Sequence, residues 1–138
     1  YDVLKDDSYC SYNFYHEYYN HLFNLAVCLV NLAKTSNFSD SEEDLKVAVK
    51  NFNYAAWIFD KIKQELPNFI NAKEIMPDMN LKYLTYCNNL CLAQSQALIF
   101  EISGRKGMSN ELQAQLSKGI FDLLTNCFNM TNDGLKKY

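Results

Sequence analysis

Apolar residues along this chain return at steps of three and four, the period of one helix face, rather than in the strict alternation of a half-buried strand. The cleanest run is Leu45, Ala48, Phe52, Ala55, Phe59, Ile62 and Leu66. A seam of this kind packs knobs into holes against a neighbouring helix, and Ala48 and Ala55 let that neighbour come close. It predicts a helix over about 40–66, opened by a Ser39–Glu42 capping box and ended by Pro67. Upstream, Tyr15, Tyr18, Leu22, Leu25, Leu29 and Leu32 form one stripe, and Tyr19, Phe23, Ala26, Val30 and Ala33 form a second beside it. The two stripes predict a helix near 13–34 that is covered on more than one side.

Turn formers separate the remaining elements. The stretch "PNFINAKEIMPD" reads as a connector, with Asp78 as the N-cap of a third helix over about 79–103. "SGRKGMS" is a glycine-containing break, and Ser109 can cap a fourth helix over about 109–130. Short connections force neighbouring helices to run antiparallel, so the expected fold is all-α, two stacked helical hairpins of tetratricopeptide-like shape. No 34-residue self-similarity accompanies it, so a true repeat array is not expected.

Three stretches depart from a simple buried stripe. "LCLAQSQALIF" (90–100) carries Gln94 and Gln96 inside an apolar helix. Gln94 shares a face with Cys87, Cys91 and Leu98, so at least one amide is expected to point inward, at a cost of about 1–3 kcal/mol unless bonded. In the second helix, Tyr54, Trp57 and Ile58 lie off the seam, and Trp57 is expected to pack against another part of a larger domain. In the fourth, Leu112, Leu116, Ile120, Leu123 and Cys127 occupy one arc, and Phe121, Leu124 and Phe128 occupy another. One arc can bury into the hairpin and the other needs a second cover. By pattern alone such a stripe is core more often than a partner site.

Composition supports the helical reading. Apolar residues make up 49% of the 138, and two prolines with four glycines leave little material for the many turns of a sandwich. A net charge of −3 with both signs interspersed gives no case for nucleic acid or an anionic membrane. No apolar run is long enough for a membrane span, and the start resembles no signal peptide. The absence of an initiating Met points to a piece of a longer protein. Five cysteines, with no CxxC, read as reduced, buried cytosolic thiols. The sequons at Asn37 and Asn129 would matter only in a secreted protein.

Little catalytic chemistry can be assembled. In "HEYYNH", His16 and His21 lie five apart, roughly 140° around a helix, and cannot share a metal on one face. Cys87 and Cys91 do share a face but have no second ligand pair. No Cys–His dyad, phosphate cradle or inward carboxylate pair emerges. No enzyme, cofactor, metal or small-molecule substrate is expected.

Three stretches in the same order and spacing carry a family resemblance: "HEYYNHLFNLAVCLVNLA" (16–33), "VAVKNFNYAAWIFDKIK" (47–63) and "LCLAQSQALIF". Together they resemble the ALIX-type BRO domain shared by ALIX, HD-PTP and rhophilin. The likeness covers roughly residues 14–130, the tetratricopeptide-like central portion, so that 1–138 reads as one domain cut from a larger BRO domain. Ala97 stands where the family usually has Glu, and Trp57 where Gly is common. The resemblance implies that the two glutamines are structural, bonding across helices. It also implies a groove for the C-terminal amphipathic helix of the ESCRT-III core filament subunit, in a cytoplasmic adaptor recruited to endosomes through its partners. By position, the groove falls on Ile99, Met108, Leu112 and Leu116, with Lys46 as a polar contact, and Ile99 replaces an aromatic. This favours the partner-site reading of Leu112 and Leu116. Two alternatives stay open: a rhophilin-like scaffold in small-GTPase signalling, and a structural helical core without a ligand site.

Overall fold

The computed structural model describes residues 14–36, 41–71 and 75–135. It contains α1 (Phe14–Ser36), α2 (Glu42–Phe69), a 3₁₀ turn at Pro77–Met79, α3 (Leu81–Arg105) and α4 (Asn110–Leu135), with no strand among the described residues. The helices pack in chain order, α1 on α2, α2 on α3 and α3 on α4. The all-α hairpin architecture expected from periodicity is therefore present. Each helix starts and ends within three residues of its expected bounds, except that α4 continues five residues further, to Leu135.

The seam on α2 is the centre of the molecule. All seven of its residues are buried, together with Ala56 and Ile58. Tyr19, Ala26 and Ala33 of α1 close over one side of it, and Leu84, Cys91 and Leu98 of α3 close over the other. On α1 the second stripe is thus the core-facing one. Of the first stripe, Leu22 and Leu29 are partly covered, while Tyr18, Leu25 and Leu32 face solvent.

Helix ends account for the differences from expectation. Pro67 does not end α2, which continues to Phe69 before Ile70 turns extended. The proline removes one helical N–H, but the Ile70 N–H closes on the Leu66 carbonyl at 3.0 Å. Phe69 also stacks on Tyr15 of α1, ring centres 4.4 Å apart, which holds the last turn in place. Ser39 lies outside the described residues. Ser41 takes the N-cap position of α2 without a side-chain cap bond. Asp78 does not cap α3. It is buried in the 3₁₀ turn that Pro77 begins, and this moves the helix start on to Asn80. The Asn80 Oδ1 accepts the Tyr83 N–H at 2.9 Å, the bond an N-cap residue supplies. Ser109 caps α4 as expected, its Oγ accepting the Leu112 N–H at 3.3 Å.

The glutamine expectation is corrected in part. Gln94 is exposed, because it falls at the rim of the Leu84–Cys91–Leu98 stripe and its long side chain reaches water. Gln96 is half-buried and lies against α4, where a Cβ on Gly119 would stand 2.5 Å from its Oε1. The amide that bonds across helices is Asn88, whose Nδ2 donates to the Ala56 carbonyl of α2 at 2.8 Å.

Candidate partner-binding site

α3 leads into α4 through a tight closure that fixes where Met108 sits. Gly107 adopts φ +65°, its N–H donates to the Gly104 carbonyl at 3.1 Å, and the Met108 N–H donates to the Ser103 carbonyl at 3.0 Å. This is the left-handed helix ending that glycine favours, and it leaves Met108 exposed at the hairpin tip.

From the tip the two helices run back antiparallel, and their register follows from two contacts. Gln96 lies against Gly119, and the Cys127 thiol lies 3.8 Å from the Tyr86 carbonyl. Three residues on from Gln96 is Ile99, and three residues before Gly119 is Leu116, so the two stand level. Gln96, Ile99 and Ser103 step by three and four along the side of α3 that meets α4. Ile99 and Leu112 are each 37% exposed, and Leu116 is half-buried. These four apolar side chains therefore belong to one end of the α3–α4 hairpin, none of them in the core.

Lys46 approaches this end through charge. Its Nζ lies 2.9 Å from a carboxylate oxygen of Glu42 and 2.9 Å from one of Glu43, and Lys106 reaches the same Glu42 oxygen at 2.9 Å. The Glu42 bridge ties the start of α2 to the end of α3, two residues before Met108. The Lys106 and Lys46 ammoniums hold the Glu42 carboxyl below its usual range, and Glu43 and Glu42 hold Lys46 above its own. Among the described residues, the ion pairs of Lys46 are both with the first turn of α2 itself.

Sequence reasoning missed a second feature. An open groove along α2 is lined by Lys46, Val49, Lys50, Asn53, Tyr54 and Trp57. Ile58 is in the core, but Tyr54 and Trp57 are exposed. The detectable signal was two aromatics three apart on the polar side of the helix, with lysines four residues away on either flank.

Burial pushes the Cys87 thiol up to about 11 and Cys91 to about 12, so both stay protonated and are poor nucleophiles. His21 is exposed beside Glu17, at 3.7 Å, and His16 is buried. Among the described residues no group of three His, Cys, Asp or Glu side chains could hold a metal ion.

Stacked helical hairpins with exposed apolar ridges are the architecture of a helical scaffold. The sequence profile of the BRO1-like domain matches residues 1–137, and the chain belongs to that family. It is thereby a protein-interaction module of a family associated with endosomal trafficking. No curated protein and no solved structure matches it. No described helix is long and apolar enough to cross a membrane.

Proposed function

We propose that the α3–α4 end of the hairpin stack docks the C-terminal amphipathic helix of the ESCRT-III core filament subunit, drawing the protein from the cytoplasm to endosomes. The observation that supports this most is the grouping of Ile99, Met108, Leu112 and Leu116 at one end, solvent-accessible and outside the core. A docking helix presents anchors at steps of three and four that insert between such side chains. Lys46 adds a polar contact at the rim.

The test compares wild type with Leu112→Asp by anisotropy of a labelled peptide of that C-terminal helix, alongside helix content and melting temperature. Burying one leucine contributes about 1.5–3 kcal/mol. An aspartate also sets a carboxylate against the ligand's apolar side, so affinity should fall at least about tenfold, or roughly 1.4 kcal/mol. A folded variant that binds at full strength rejects the groove. A collapsed variant places Leu112 in the core and favours the purely structural reading.

A further inference from the structure

The turn that closes α3 onto α4 carries chemistry that the docking site does not use. Every residue from Gly104 to Leu112 is exposed, the longest such run among the described residues. Within it, "RKGMS" sets Arg105 four positions and Lys106 three positions before Ser109. Ser109 stands just outside α4, its Oγ accepting the Leu112 N–H at 3.3 Å and its carbonyl the Gln113 N–H at 3.2 Å. Neither Gly104 nor Gly107 has anything within 4 Å of where a Cβ would sit, so the turn is open to approach. Arg105 pairs with Glu101 at 2.5 Å and Lys106 with Glu42 at 2.9 Å, both at the surface.

A serine hydroxyl with cations three and four residues ahead of it suits a basophilic protein kinase, whose carboxylates read those cations. Such an enzyme holds its substrate extended, and here the cations and the hydroxyl share one exposed turn. Surface ion pairs contribute little, so Arg105 and Lys106 can exchange their own carboxylates for the kinase's. The other serines fit less well. Ser95 and Ser103 of α3 are buried, and the Ser103 hydroxyl donates to the Phe100 carbonyl at 2.7 Å. Ser41 is followed by Glu42, Glu43 and Asp44, the opposite charge pattern, which suits an acidophilic kinase.

We propose that Ser109 is the phosphorylation site of a basophilic serine/threonine kinase, and that its phosphate switches off docking at the α3–α4 end. In the transfer, the Ser109 Oγ bonds to the γ-phosphorus of magnesium ATP as the bond from that phosphorus to the β–γ bridging oxygen breaks. ADP leaves with that electron pair, and the hydroxyl proton passes to the kinase's catalytic carboxylate. The phosphate adds about −1.5 to −2 charges at neutral pH, next to Met108 and one turn before Leu112. An apolar ligand face seated there has to desolvate that charge, which weakens docking. The phosphate also offers Lys106 a stronger acceptor than Glu42, loosening the tie between α2 and α3. The switch rests on the docking function proposed above, whereas the modification site stands apart from it.

The experiment incubates the full chain and magnesium ATP with the catalytic domain of a protein kinase C. A parallel arm uses the acidophilic casein kinase 2, and fragment mass spectrometry locates the phosphate in both. The expected result is one phosphoryl group on Ser109 from the basophilic enzyme and none there from the acidophilic one. Arg105→Gln combined with Lys106→Gln should slow the transfer at least about tenfold, the loss of one or two charge contacts. Labelled ESCRT-III C-terminal peptide should then bind the phosphorylated chain about tenfold more weakly than the unmodified chain. Ser109→Asp should weaken binding in the same direction, and Ser109→Asn, which keeps a capping oxygen, should bind like wild type. Phosphate only on other residues, or an unmodified chain beside a modified peptide of residues 101–113, overturns the site. Equal transfer to the double variant overturns recognition through the two cations. Unchanged peptide affinity after phosphorylation overturns the switch. A wild type that binds no peptide rejects the docking function and the switch with it, while transfer to Ser109 in that chain still supports the site.

Discussion

Single residues carry two opposite glycine effects within one turn. Gly104 is helical and has nothing within 4 Å of where a Cβ would sit, whereas Gly107 holds φ +65°. Gly104→Ala should therefore stabilise by about 0.5–1 kcal/mol by raising helix propensity and restricting the unfolded chain. Gly107→Ala should destabilise by about 1–2 kcal/mol, the cost of a left-handed residue with a Cβ. Urea titrations of the two variants check both signs, and two shifts in the same direction would refute the turn geometry. Tyr19, 1% exposed, gives a pH signature. Burial first, then Glu65, pushes its phenol from 10.0 up to about 12. The folded state holds the proton more tightly than the unfolded state, so this contribution is complete below pH 10 and is lost as pH rises towards 12. Tyr19→Phe should remove that part of the alkaline loss, making its melting temperature fall less than wild type's between those pH values. Equal slopes would contradict the buried placement of Tyr19. The positions that the sequence misplaced are residues of this kind. Asp78 and Asn80 are both competent caps, and only the 3₁₀ turn begun by Pro77 decides between them. Nothing local to Gln94 shows that it falls at the rim of a stripe.

At the scale of elements, periodicity carried nearly all the information. The α2 seam was fully legible because a helix packed on two sides needs every seam position apolar, and every one is buried. Small residues there set how closely the neighbours approach, so Ala55→Leu should overpack and cost about 1–3 kcal/mol. Val47→Leu, on the exposed side of the same helix, should change stability by less than about 0.5 kcal/mol. Thermal denaturation of the pair tests the seam, and comparable losses would argue against it. On α1 two stripes competed, and periodicity alone could not choose between them. Tyr19, Ala26 and Ala33 face the core because alanines permit close packing on α2, while bulkier Leu25 and Leu32 remain outside. Pro67 shows the opposite failing, a local rule overridden by the Phe69–Tyr15 stacking contact. The candidate site was legible only through family resemblance. Ile99, Met108 and Leu112 are ordinary apolar positions until the hairpin closes at Gly107 and sets Ile99 level with Leu116. The α2 groove was legible only as aromatics on a polar face.

As a whole, the molecule concentrates burial at α2 and leaves apolar surface at its two outer helices. On α4 Phe121 is 68% and Phe128 64% exposed, and Cys127 is the helix's one fully buried side chain among the described residues. Such exposed apolar area promotes association. Phe121→Ser combined with Phe128→Ser should lower light scattering at high concentration while leaving the melting temperature within a few degrees of wild type. A large loss of melting temperature would show that these rings stabilise the fold directly. The central claim concerns the other side of α4, the ridge beside α3. It is tested most directly by methyl-labelled NMR of the Ile, Leu and Met side chains during titration with the ESCRT-III C-terminal helix. The account predicts shifts at the methyls of Ile99, Met108, Leu112 and Leu116, with the core methyls of Ile62 and Leu84 unmoved. Shifts confined to Leu25 and Leu32 of α1, or none at saturating peptide, would contradict it.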